Sequence, residues 1–106
     1  MTKVKLTKES LLDIGGFTSL RAKQLAGKHR LQKDLRISSE RVLFLANRFN
    51  KTLKSVGSKK QVQGTTLRAD NFSVTDCIVL MLKKGLDVEL KPEETKDLII
   101  EARKEL

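Results

Sequence analysis

Lys28, His29, Arg30, Lys33, Arg36 and Arg41 crowd one stretch of the chain, and Arg48, Lys51, Lys54, Lys59 and Lys60 continue it. Cations at that density suit the neutralisation of phosphates along a nucleic-acid backbone, where each contact releases condensed counterions. Residues 1–60 hold fifteen Lys/Arg against four Asp/Glu, whereas residues 61–106 hold seven against nine. The formal charge of +9 therefore belongs to the first half, and the second half is neutral to slightly acidic. A merely soluble basic surface is the plainer account of such counts; the clustering argues for a polyanionic partner.

Bond-making chemistry finds no comparable set. His29 and Cys77 are the only residues of their types, and no carboxylate pair, nucleophile with base, or metal-ligand group stands at workable spacing. The chain is expected not to be an enzyme and to need neither metal nor cofactor. Gly15-Gly16 lacks the flanking glycine and lysine of a nucleotide-binding loop. Four Phe, with no Trp or Tyr, offer no stacking platform for single strands or RNA, which leaves double-stranded DNA as the expected partner. Cys77 lies in the apolar run Cys77–Leu82 and reads as a buried structural thiol, in keeping with a reducing cytoplasm. That run is about a third of a membrane span, and the N-terminus is polar, so a soluble cytoplasmic protein with no membrane partner is expected.

Helices must position these side chains. The first is expected to open at Leu6-Thr7, with Thr7 as N-cap, and to end at Gly15-Gly16. A second is predicted from a cap at Thr18 or Ser19 to about Arg30. A third starts at Ser38 or Ser39, and its stripe Val42, Leu45, Ala46, Phe49, Leu53, Val56 follows helical periodicity for four turns. Leu43 and Phe44 fall off that stripe, so they either pack under the first two helices or mark a contact surface. Gln61 to Ala69 is rich in β-branched residues and reads as a strand or ordered loop. Ser73-Val74-Thr75-Asp76 has the pattern of a capping box ahead of a helix at 74–84, with Gly85 as its C-cap. The competing reading is a hairpin, Cys77–Leu82 returning through Leu86–Leu90.

Pro92 stands at the first position of a last helix that buries Thr95, Leu98, Ile99 and Ala102. Its stripe Glu94, Asp97, Glu101, Glu105 sets like charges three and four residues apart, which costs an isolated helix a few tenths of a kcal/mol per pair. A facing cation is expected from the basic half, from a homodimer, or from another protein; a solvated face is the plainer account.

The run Leu11-Leu12-Asp13-Ile14-Gly15-Gly16-Phe17-Thr18-Ser19-Leu20-Arg21-Ala22 resembles helix-turn-helix DNA-binding proteins over about residues 7–30. The resemblance implies one mainly α domain over 1–106 with a small β element, its helix-turn-helix core extended to a winged helix if Gln61–Ala69 forms a wing. A polar surface loop accounts for that segment equally well. Thr18, Ser19, Arg21, Lys23 and Gln24 would then read base edges in the major groove. Lys28, Arg30, Lys33 and Arg36 would hold phosphate, as would Lys59, Lys60, Gln63 and Arg68 along the wing. The implied function is sequence-specific duplex binding by a transcriptional regulator or a plasmid or phage DNA-processing accessory factor. Two other readings stay open: a ribbon-helix-helix dimer reading DNA with Gln61, Gln63 and Thr65, and a small protein-interaction or inhibitor module without a nucleic-acid target.

Overall fold

A computed structural model describes residues 2–106 as five α-helices, α1 (Lys3–Gly15), α2 (Ser39–Ser55), α3 (Gly64–Leu67), α4 (Val74–Leu86) and α5 (Pro92–Arg103). Among these residues the β structure is a single isolated antiparallel bridge, Arg30 to Ser73. α1 packs on α4 and α5, which also pack on each other, while α2 lies against α1 and carries α3. Leu6, Leu11, Ile14, Leu45, Phe49, Leu53, Ile78 and Met81 are fully buried where the helices meet. No helix among the described residues is long and apolar enough to cross a membrane.

Local chemistry accounts for most of the helix ends. Ser38 caps α2 by accepting from the Arg41 N–H at 3.2 Å. Of the predicted stripe, Val42, Leu45, Ala46, Phe49 and Leu53 form its buried face, while Val56 is the half-buried C-cap. Ser73 and Asp76 form the reciprocal capping box of α4, so 74–86 is a helix and the hairpin alternative does not form. Pro92 starts α5, and the Glu94 carboxylate reaches back to the Lys91 N–H.

Two helix ends fall elsewhere than expected. α1 begins at Lys3, capped by the Thr2 hydroxyl, rather than at Leu6-Thr7. Thr7 is instead buried within the helix, its Oγ1 donating to the Lys3 carbonyl at 2.7 Å, and Ser10 does the same to Leu6 at 2.9 Å. Such back-bonding lets a hydroxyl be buried with its donor satisfied, and either threonine is a competent cap by type. Gly85 does not end α4; Asp87 takes the left-handed conformation that closes it, at φ 54°. A β-carbon at Gly85 would lie 2.8 Å from a Leu6 methyl and 3.2 Å from a Leu53 methyl. The glycine serves the close approach of three helices.

The second predicted helix, 18–30, is absent, and the helix-turn-helix expected over 7–30 is not formed. One 3₁₀ turn, Ala22–Gln24, interrupts an otherwise irregular path. Leu25 and Leu31 are both fully buried, yet six positions apart on a helix they would face directions about 120° apart. An irregular path turns both inward. Its backbone bonds then go to the start of α4: the Leu31 N–H donates to the Phe72 carbonyl, the Val74 N–H to His29 and the Thr75 N–H to Gly27, at 2.8–3.0 Å. These cross-links satisfy groups that a helix would have paired internally. Gly27 sits so close that a β-carbon there would collide with Thr75 Oγ1.

Of the two readings of 61–69, strand or ordered loop, no strand is formed. The chain is extended to Gln63 and then makes the single turn of α3. What holds it is the Asn50 side chain, whose Oδ1 accepts from the Val62 N–H at 2.7 Å and whose Nδ2 donates to the Val62 carbonyl at 3.2 Å. One amide thus supplies the pairing a neighbouring strand would have given.

Candidate nucleic-acid interface

The irregular path from Thr18 to Ile37 gathers cations on a series of open depressions. One is lined by Lys28, His29, Arg30, Lys33, Asp34 and Arg36. It shares Arg30 and Lys33 with a neighbour that reaches Asp70, Asn71 and Phe72. It also shares Arg36 with another formed by Phe17, Thr18, Ser19, Leu35 and Arg41. Arg41 belongs to the first turn of α2, so the series continues onto that helix. At the far end of α2 lies a further depression, lined by Asn47, Asn50, Lys51, Lys54, Ser58, Lys59, Lys60 and Gln61. Cations therefore cluster at both ends of one helix, Lys28–Arg41 about its start and Lys51–Lys60 about its end.

The cations differ in how free they are. Lys28, Lys33 and Arg36 are exposed, with Arg36 held at a positive φ of 56°. Arg30 is not free: its Nε lies 3.1 Å from Asp34 Oδ2 and its Nη1 donates to Asn71 Oδ1 at 3.1 Å. The guanidinium in turn holds the Asp34 carboxyl below its ordinary value by direct hydrogen bonding. Arg30 thus pins the loop to the segment before α4 and is half spent as a phosphate contact. The Arg41 guanidinium lies 5.5 Å from the centre of the Phe17 ring, a cation–π distance. Lys60 Nζ comes within 3.9 Å of Asp87, an exposed and weak pairing.

Among the expected base readers, Ser19, Arg21, Lys23 and Gln24 are exposed but sit on no α-helix; Lys23 and Gln24 belong to the single 3₁₀ turn. Gln24 Oε1 accepts from the Arg21 N–H, and Thr18 Oγ1 donates to the Leu35 carbonyl, so both side chains are engaged in shaping the loop. Arg21, Lys23 and Gln24 line none of the four basic depressions. Gln63 and Arg68 are exposed at the two ends of α3, beside α2. His29 closes a turn, its Nδ1 accepting from the Ala26 N–H at 3.0 Å.

Sequence reasoning missed Asn47 as a surface residue and Asn50 as the clamp on Val62. The signal for Asn47 was its place on the polar side of the most regular helix. Nothing in sequence announces the Asn50 contact, which depends on where the chain returns.

Elsewhere the charges are paired or solvated. Asp13, nearly buried on α1, accepts from Arg48 Nε at 3.1 Å and from the Thr52 hydroxyl. Burial still pushes its carboxyl above the ordinary range, against the pull of those partners. Cys77 is fully buried, and burial pushes its thiol up as well. Glu94, Asp97 and Glu101 on α5 share a depression with Lys3 and Leu90, so the chain's own N-terminal helix supplies a cation beside the acidic stripe. No protein-family model matches this chain, and neither a curated protein nor a solved structure shows detectable similarity to it.

Proposed function

We propose that this protein binds double-stranded DNA through its basic half and carries out no reaction on it, acting as a regulator or as an accessory factor in DNA processing. The observation that carries this reading is the set of basic depressions, three linked by shared residues from Asn71 through Lys28–Arg36 to Arg41 and a fourth, separate one at Lys51–Lys60. Asp34, Asp70, the exposed Glu40 and Asp87, 3.9 Å from Lys60, interrupt it with negative charge. Open depressions lined by Lys and Arg suit an extended polyanion better than a small ligand, which wants an enclosed and mainly apolar pocket.

A protein-interaction module is the competing reading, supported by the exposure of Phe44 and Ile100 at 61% and 53%. Titrating a short fluorescent duplex at increasing salt separates the two. Six phosphate contacts should cost about 10³-fold in affinity between 50 and 200 mM salt. Weak binding at low salt, or a shallow salt dependence, would count against DNA.

A further inference from the structure

We infer that α2 is the element that enters the major groove, with Asn47, Lys51 and Phe44 facing the base edges; this rests on the duplex-binding reading above. At about 100° per residue, Phe44, Lys51 and Ser55 define the centre line of the helix's outer face, with Arg41 and Arg48 on one flank and Asn47 and Lys54 on the other. All seven are exposed, and Phe44 is 61% exposed with no apolar partner on its outer side.

The face has the shape and the chemistry of a groove reader. With side chains an α-helix is about 10–12 Å across, close to the 12 Å or so of the major groove. Its residue types are those that recognise bases there: an amide for adenine, cations for guanine, an apolar ring for the thymine methyl. From Arg41 to Lys54 is about 20 Å along the axis, longer than the groove is wide, so both ends overhang the phosphate strands. Those ends are where the cations gather, Lys33, Arg36 and Arg41 at one and Lys54, Lys59 and Lys60 at the other. α3 leans on the same helix through Gly64, where a β-carbon would collide with a Leu43 methyl.

The test begins by selecting duplexes from a random pool with the intact protein, then comparing its variants on the enriched and a scrambled duplex. Asn47→Ala alters no charge, so an electrostatic effect cannot account for its result. It should reduce discrimination between the two duplexes by about tenfold, with the salt slope unchanged. Lys59→Ala with Lys60→Ala should weaken both duplexes alike and lower the salt slope by about two. If Asn47→Ala and Lys51→Ala both leave discrimination intact, or if binding is salt-dependent with no enriched sequence, the assignment of α2 fails while duplex binding stands. If no duplex binds at low salt, both fall. Thermal melts of each variant should match the parent, because all four side chains are exposed.

Discussion

The loop from Thr18 to Ile37 and helix α2 carry charge of the same sign and lie end to end, yet different forces order them. α2 is held by its own hydrogen bonds and one continuous apolar stripe, which leaves most of its outer face free of structural duty; the exceptions lie on one flank, where Arg48 bonds Asp13 and Arg41 stacks on Phe17. In the loop, Leu25, Leu31, Leu35 and Ile37 are buried at irregular intervals, and the backbone bonds go to the start of α4. Its polar side chains are correspondingly spent: Thr18 on Leu35, Gln24 on Arg21, Arg30 on Asp34 and Asn71. A helix can present a row of side chains at no cost to its own integrity. An irregular loop must use many of them to keep its shape.

If the loop is as firmly built as the helix, Leu31→Ala should destabilise the protein by about 2–5 kcal/mol in urea unfolding, whereas Phe44→Ala on the open face of α2 should stay within about 0.5 kcal/mol. A loss below about 1 kcal/mol for Leu31→Ala would mean that the loop is only loosely attached. Gly27→Val should come next, at about 1–3 kcal/mol, because its side chain displaces Thr75 and weakens the tie to α4.

The contact between α1 and α2 offers a smaller, pH-dependent effect. Burial raises the folded Asp13 carboxyl above its ordinary 3.8, so the folded state keeps a proton that the unfolded chain has released. The contribution of Asp13 is thus full below pH 3.8 and is lost as pH rises through the folded value. Asp13→Asn, a neutral isostere, should therefore gain stability relative to the parent across that rise. A constant difference at all pH values would show that the Arg48 and Thr52 contacts offset the burial. Smallest of all, Arg30→Ala should lower the melting temperature slightly, while Lys33→Ala should leave it unchanged and weaken duplex affinity instead. Equal effects of the two on affinity would mean that the Arg30 pairing gives way on binding.

Residues 38–56, the start and body of the helix at 74–84, and 92–103 were legible from sequence because capping and periodicity act within a turn or two: Ser38, Ser73 and Pro92 start helices wherever an apolar stripe follows. The concentration of cations before residue 61 was also legible, being a matter of counting. The segments 18–30 and 61–69 were not. Thr18, Ser19 and the alanines after them allow a helix, but burying both Leu25 and Leu31 while the backbone bonds go to the start of α4 favours an irregular path. Val62 to Leu67 has the residue types of a strand, but Asn50, twelve positions away, takes its hydrogen bonds.

Local sequence determined the long helices and the sign of the surface, because caps, stripes and charges need no distant partner. Tertiary structure alone decided that the basic loop is not a helix and that its cations line depressions shared with Arg41 at the start of α2, while those of Lys51–Lys60 gather at its far end. Those outcomes depend on which apolar residues must share one core, and that is settled only when segments dozens of residues apart pack together.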